Sequence, residues 1–373
     1  MANAPIDRRL SDLLDYFRWF SAFLVVLSHS RTIVFVPWGD VEHPGLVARA
    51  FYFLSGFGHY GVLMFFAISG FLIGGTAWQR MEAGRFSFRD YLLNRVSRIY
   101  IVLVPALFLI WALDATGIAW LNGTGIYTQG YSMGALSSDT RERLGWSVLA
   151  QNLLMLQNIT VPPFGTARPL WTLNWEWWSY MAAPLVLGFV LRFPGPRARL
   201  GAALAAAAVL VAAGLNYVLL WHLGILLALI RFRSLPAFAA GAALFLAVPV
   251  ATRANWLDTD LPAEILFMAG FVLLLSQWRH RGDGGFRLPH AALAGFSYSL
   301  YVLHTPLLAF AMAALQTWFG IPRLLQPQGI NVLVYLGILG FVYLAAFLFA
   351  QLTERHTSAL RDRLRRLVPP PSR

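Results

Sequence analysis

Residues 13–36 read LLDYFRWFSAFLVVLSHSRTIVFV, an apolar stretch that is long enough to cross the hydrocarbon core of a bilayer as one helix. It also holds Arg18 and His29, two ionisable residues that are costly to place in lipid and therefore usually have a function there. In a helix, the eleven steps between them correspond to roughly 16 Å, about half the thickness of a bilayer core. The stretch therefore predicts a membrane helix with a charged residue near one membrane face and a titratable residue at depth.

The composition of the whole chain is that of a polytopic membrane protein. Of its 373 residues, 58% are hydrophobic and 12% are charged, whereas soluble domains carry roughly 25% charged residues. The 29 basic residues are all arginine and outnumber the 17 acidic ones. Because they cluster in short connections between apolar segments, contact with membrane lipids and the positive-inside rule explain them better than binding of nucleic acid does. The lack of Cys and Lys excludes disulfides, thiolate metal sites, a cysteine nucleophile and Schiff-base chemistry.

The apolar segments predict an all-α bundle of about ten transmembrane helices in a single domain, 1–373, with a membrane core at 12–352 and a basic tail at 353–373. The predicted spans are 12–36, 59–79, 96–114, 171–191, 200–213, 215–230, 235–251, 262–278, 291–313 and 329–352. With both termini in the cytoplasm, the inner connections collect 21 arginines and the outer ones seven. This bias predicts cytoplasmic termini.

Three further segments are predicted to lie at a membrane surface. The basic stretch 80–100 follows the second span, and the apolar patch Trp146 to Leu156 lies in the long outer connection. The tail from Glu354 to Leu367 has the alternation of apolar and basic residues that is typical of a surface helix.

Several polar residues inside or beside the spans are candidates for function. Arg95 and Arg98 share a helix face, and their guanidinium groups suit the phosphates of a cofactor or of a lipid. Glu176 lies among four tryptophans, where it could orient an imidazole, bind a hydroxylated substrate or bond to a neighbouring helix. His304 precedes Pro306 near the middle of the ninth span. Two deep histidines and a glutamate in one bundle favour a shared polar cavity, and the histidine spacing does not favour a metal site.

Taken together, the motifs resemble those of the acyltransferase-3 family of bacterial integral membrane acyltransferases. The resemblance runs from Leu14 to Arg355 and has six marks in order: Leu14-Asp15-Tyr16-Phe17-Arg18 with His29, Phe65-Phe66-x-x-Ser69-Gly70-Phe71-Leu72-Ile73, Arg95-x-x-Arg98-Ile99-Tyr100, Leu170-Trp171-Thr172-Leu173-x-x-Glu176, Ser297-Tyr298-Ser299-Leu300-Tyr301 with His304 and Pro306, and Glu354. Three positions depart from the family pattern, which has Gly at Tyr16, a second Glu at Trp177 and Pro at His356.

The resemblance implies that the chain transfers an acyl group, commonly acetyl, from cytoplasmic acyl-coenzyme A to a saccharide hydroxyl. The acceptor would be a cell-envelope glycan, an exported glycan or a lipid-linked glycan. The protein would lie in the bacterial cytoplasmic membrane. No permanently bound cofactor is expected.

On this basis we expect His29 to act as general base with Glu176 in support. The other expected site residues are donor-binding Arg18, Arg95 and Arg98, and substrate-binding Trp171, Trp175, Tyr298 and His304. A covalent acyl-histidine is the mechanistic alternative. The alternative functions are a transporter or flippase of lipid-linked glycans and a non-catalytic envelope scaffold.

Overall fold

The structure, a computed structural model, describes residues 8–128, 139–190, 200–201, 204–206, 215–230, 234–278 and 290–369. These residues form helices and connections without strands, so the predicted all-α class is confirmed. A helix satisfies all of its backbone hydrogen bonds within one segment, which is what an apolar chain needs in lipid.

In chain order, the helices of the described residues are α1 (Arg8–Val34), α2 (Leu46–Leu54), α3 (Gly58–Ser69), α4 (Thr76–Glu82), α5 (Phe88–Trp120), α6 (Trp146–Leu153), α7 (Leu170–Val190), α8 (Leu215–Leu223), α9 (Leu226–Leu229), α10 (Leu235–Arg253), α11 (Leu261–Trp278), α12 (His290–Ala294), α13 (Ser297–Phe319), α14 (Ile330–Leu352) and α15 (Thr357–Leu367). A π-helical segment, Gly70–Gly75, joins α3 to α4.

Within the described part of the chain, five helical segments are long and apolar enough to cross a membrane. They are Leu46–Glu82, Phe88–Trp120, Leu235–Arg253, Ser297–Phe319 and Ile330–Leu367, and they contain the second, third, seventh, ninth and tenth predicted spans in whole or in large part. The count of ten spans and the orientation of the termini stay predictions. Most of the fifth predicted span and the arginines of three inner connections, 191–199, 231–233 and 279–289, lie outside the described residues.

The three predicted surface segments have different outcomes. Residues 88–100 are the first turns of the 33-residue helix α5, so they are continuous with the helix that contains the third predicted span, and their position at the membrane surface stays a prediction. The apolar stretch continues their helix past Pro105 as far as Trp120. A helix does form in the outer connection, at α6, and another in the tail, at α15.

The chain divides into two compact units, and the division falls inside helices α1, α5 and α7 and after the first residue of α3. The first unit comprises Met1–Ser21, His59–Arg95 and Trp175–Ala294, and the second comprises Ala22–Gly58, Val96–Asn174 and Gly295–Arg373.

Close backbone contacts hold the first unit together. A Cβ added to Gly70 would lie 2.1 Å from the backbone oxygen of Trp221, and one added to Gly224 would lie 2.3 Å from that of Ala67. Helices α10 and α11 approach in the same way at Gly241 and Gly270. Small residues beside bulky ones, such as Ser69 and Gly70 of the second span, predict tight helix packing. Gly70 provides it, because glycine lets two backbones meet.

The approach at Gly70 gives a first testable expectation. Gly70→Ala should lower the free energy of unfolding by about 3 kcal/mol, because the new methyl meets a backbone carbonyl that cannot rotate away. The thermal unfolding midpoint of the purified protein should fall accordingly. Gly337→Ala is the matched control, since a Cβ at this helical position meets nothing within 4 Å. Equal midpoints for the two variants would contradict a close backbone contact at Gly70.

The second unit is joined by contacts between segments that are distant in sequence. Backbone hydrogen bonds link the end of α1 to Leu325, and Ser30 and Tyr335 share a hydroxyl hydrogen bond of 2.9 Å. The buried carboxylate of Asp114 accepts two hydrogen bonds of 2.7 Å from the backbone and side chain of Thr166. These last bonds fix the outer connection to α5, just before α7 begins.

Candidate active site

Two histidines of the second unit form a direct pair. His29 of α1 and His304 of α13 are 275 residues apart in sequence, yet Nδ1 of His29 lies 2.8 Å from Nε2 of His304. The His304 side chain is fully buried, whereas His29 is partly exposed. The structure thus brings together the two deep histidines that the sequence singled out, and it leaves one of them accessible.

The hydrogen bonds of His304 fix where the protons are in this pair. Its Nδ1 contacts the backbone oxygens of Tyr301, at 2.8 Å, and Leu300, at 3.2 Å. Carbonyl oxygens only accept, so Nδ1 of His304 carries the hydrogen and its Nε2 is an acceptor in the neutral ring. Nδ1 of His29 must then be the donor between the rings, and Nε2 of His29 is left with a lone pair.

The remaining nitrogen of His29 is therefore the basic one. Among the described residues, no protein group forms a hydrogen bond with Nε2 of His29. A neutral imidazole whose second nitrogen is fixed as a donor is the arrangement that a general base requires. The same lone pair would suit a nucleophile.

A second polar cluster lies at the start of α13. The carboxylate of Glu354, which is 2% exposed, accepts hydrogen bonds from the backbone and side chain of Ser299 at 3.1 and 2.9 Å. It also forms an ion pair of 2.7 Å with Arg98, whose guanidinium lies 5.7 Å from the ring centre of Tyr298. Glu354 therefore caps the N-terminus of α13 and binds that helix to α5.

Helix α13 connects this cluster to the histidine pair. Ser299 and His304 are five positions apart, a rise of about 7.5 Å along a helix. Between them, the hydroxyls of Tyr301 and Thr172 share a hydrogen bond of 2.7 Å, which attaches α13 to the first turn of α7.

Glu176 belongs to the first unit, where its contacts are with hydroxyl groups. Ser69 donates to its carboxylate at 2.8 Å, and Tyr180 donates a short hydrogen bond to the same oxygen. The indole of Trp221 donates to Ser69 at 3.0 Å, so the network joins three segments of the unit. Glu176 is partly exposed, and this position agrees with the predicted alternative in which it bonds to a neighbouring helix.

Two of the predicted donor-binding arginines also lie in the first unit. Arg18 forms an ion pair of 3.2 Å with Asp15, one turn away on α1. The guanidinium of Arg95 lies 5.6 Å from the ring centre of Tyr180. The spacing of three residues on one helix predicts the Asp15–Arg18 pair, whereas nothing in the sequence indicates the contact of Arg95 with Tyr180.

The predicted aromatic substrate residues have different surroundings. Trp175 is partly buried in the first unit, where it packs against Tyr217, with ring centres 5.5 Å apart, and against the buried Ala182 and Val218. Trp171 begins α7 in the second unit and is partly exposed. Tyr298 donates a long hydrogen bond of 3.4 Å to the backbone oxygen of Ile99. Among the described residues, no group of three or more His, Asp or Glu could hold a metal ion.

A comparison with known families decides what kind of protein this is. The family model described as an acyltransferase domain matches residues 12–351, a range that includes both histidines, Glu176 and all three arginines. The chain belongs to the acyltransferase-3 family. No curated protein and no solved structure matches it.

Membership of the acyltransferase-3 family makes the protein a membrane acyltransferase, in agreement with its long apolar helices. The sequence marked His29, His304 and Glu354 as family residues but did not indicate their partners. The small size of Ser69 predicts a packing residue, whereas it is the centre of the Glu176 network. Asp114 was not singled out, although a carboxylate inside a predicted span is a signal that could have found it.

Proposed function

We propose that this acyltransferase-3 protein transfers an acyl group, acetyl in the first place, from acyl-coenzyme A to a hydroxyl of a cell-envelope or exported saccharide. The observation that carries the proposal is the His29–His304 pair, which leaves an unprotonated nitrogen on an accessible ring. His29 acts as the general base. It removes the proton of the acceptor hydroxyl while the oxygen attacks the thioester carbonyl.

The arginines supply the binding of the donor. Arg98 uses one edge of its guanidinium for Glu354 and is still 32% exposed, so its other donors are available to a phosphate. Arg98 of α5 pairs with Glu354, which caps α13, so a phosphate bound to Arg98 would lie near the start of the helix that carries His304. Arg95 and Arg18 are assigned to the donor phosphates on the family resemblance.

The acceptor is assigned to the aromatic and acidic residues of α7. Trp171 is partly exposed and suits the apolar face of a sugar ring, and we keep Trp175 and Tyr298 as further substrate residues on the family resemblance. Glu176, held by Ser69 and Tyr180, has a second carboxylate oxygen with which to accept a sugar hydroxyl. The full burial of His304 argues against its direct contact with substrate. We place the protein in the bacterial cytoplasmic membrane, with lipid and a saccharide or lipid-linked glycan as its partners.

Labelled donor in membrane vesicles tests this function. Inverted vesicles that contain the protein and bacterial envelope glycans should transfer label from [¹⁴C]acetyl-coenzyme A to saccharide, because their cytoplasmic face is outside. Sealed right-side-out vesicles should not transfer label until they are permeabilised. Movement of a fluorescent lipid-linked glycan that is independent of acyl-coenzyme A, without transfer of label, would instead support a flippase.

The covalent alternative is tested on the same vesicles. If His29 acts only as a base, protein denatured in detergent at neutral pH during turnover should carry no label. Label that hydroxylamine releases from the wild-type protein, and that is absent from His29→Ala, would replace the general base by an acyl-histidine.

A further inference from the structure

The contacts of His304 give it a part in the reaction that burial alone would not suggest. It has no exposed surface, it meets His29 at Nε2, and its other ring nitrogen meets two backbone carbonyls. We propose that His304 is the positioning residue of the acyl transfer and also receives a proton through His29. This inference rests on the proposed function and concerns the same site.

The geometry of the two rings favours movement of a proton between them. The ring planes differ by only 10°. The ring centres are 5.1 Å apart and the bonded nitrogens 2.8 Å apart, so the centre-to-centre distance is as long as this hydrogen bond allows. The nitrogens therefore lie on the line between the centres, and the rings meet edge to edge in nearly one plane. In this arrangement the hydrogen on Nδ1 of His29 points along the lone pair of His304, as a strong hydrogen bond requires.

Two backbone carbonyls offset part of the cost of placing a charge on the buried ring of His304. A protonated His304 has two N–H groups, one directed at His29 and one at the carbonyl oxygens of Tyr301 and Leu300. Both carbonyls have their negative ends toward the ring, and a hydrogen bond from a charged donor is about twice as strong as a neutral one. The positive charge is thereby moved away from the reacting atoms and onto a ring that has partners at both nitrogens.

The proton transfers balance over the reaction. The acceptor O–H proton moves to Nε2 of His29, and the proton on Nδ1 of His29 moves to Nε2 of His304. The acceptor oxygen forms a bond to the thioester carbonyl carbon, and the carbon–sulfur bond then breaks. As the thiolate leaves, Nε2 of His29 gives it the proton, and the proton on Nε2 of His304 returns to Nδ1 of His29. The hydroxyl proton thus ends on the thiol of coenzyme A, and the pair is restored.

Two substitutions separate a proton acceptor from a mere support for the ring. His304→Gln keeps an amide oxygen that can accept the hydrogen bond of His29 but cannot take up a proton, whereas His304→Ala removes both functions. We expect kcat to fall about 10²-fold in His304→Gln, with little change in KM for acetyl-coenzyme A, and at least as far in His304→Ala. His222→Gln is the matched control, because Nδ1 of this histidine of the first unit also bonds a backbone oxygen one turn away.

A measurement on the wild-type protein keeps the test independent of folding. Single-turnover rates in mixtures of H₂O and D₂O should curve with deuterium content, since two protons move, whereas a single proton gives a straight line. A straight line, or wild-type kcat in His304→Gln, would overturn the proton transfer to His304 and leave His29 as base. Full activity in His29→Ala would overturn the proposed function itself, so the two failures are distinguishable.

Discussion

Replacement of His29 by alanine is expected to abolish acyl transfer while the protein stays folded in the membrane. The variant loses the only ring of the pair that is both accessible and unprotonated at one nitrogen, and general-base catalysis is typically worth roughly 10²–10⁴-fold in rate. The measurement is the initial rate of label transfer in inverted vesicles, divided by the amount of protein found in the membrane.

A matched control for His29→Ala is available in the loop after α1. His43 is exposed and has a positive φ of 45°, a backbone conformation that asparagine also tolerates. His43→Asn should therefore transfer label at the wild-type rate. If His29→Ala kept more than about a tenth of the wild-type rate, a loss smaller than general-base catalysis predicts, the histidine pair would not contain the base.

Loss of Glu354 is expected to be the most damaging single change to stability in the second unit. Glu354→Ala removes the cap of α13 and the partner of Arg98 together, and we expect a cost of about 2–4 kcal/mol in the free energy of unfolding. We expect a cost in the lower part of that range, because Arg98 is one-third exposed and can turn toward water once Glu354 is lost. The midpoint of heat-induced aggregation of the detergent-solubilised protein measures the effect.

Two other variants show whether the charge or the cap of Glu354 matters. Glu354→Gln keeps an oxygen for Ser299 but loses the ion pair with Arg98, so its midpoint should lie between those of the wild type and Glu354→Ala. Asp362→Ala is the matched control on α15, because Asp362 is exposed and its ion pairs with Arg361 and Arg365 are at the surface. A midpoint of Glu354→Ala equal to that of Asp362→Ala would contradict the role given to Glu354.

The helices themselves were predictable because their signal is local. Long apolar runs must form helices in lipid, and the helices found at 88–120, 235–253 and 297–319 contain most or all of a predicted span each. The start of α5 was not predicted, because basic residues before an apolar run are typical of both a surface segment and the first turns of a longer helix. The number of spans stays a prediction, since five segments of the described chain satisfy the criteria of length and composition.

The residues of the candidate site were also largely visible in the sequence. Ionisable groups in apolar segments are expensive, so His29, Glu176 and His304 stood out on chemical grounds alone. The hydrogen-bond partners of these groups did not stand out in the sequence. The sequence offered Glu176 several bonding partners and did not indicate that Ser69 and Tyr180 are the ones it has.

The amino-acid sequence by itself determined that this is a helical membrane chain and which of its residues are costly to bury, because composition and hydrophobic runs act within one segment. Only the tertiary structure decided that His29 meets His304 and that Arg98 meets Glu354, pairs that lie hundreds of residues apart. A hydrogen bond forms over about 3 Å, so its partners depend on how helices pack, and each segment alone leaves that packing open.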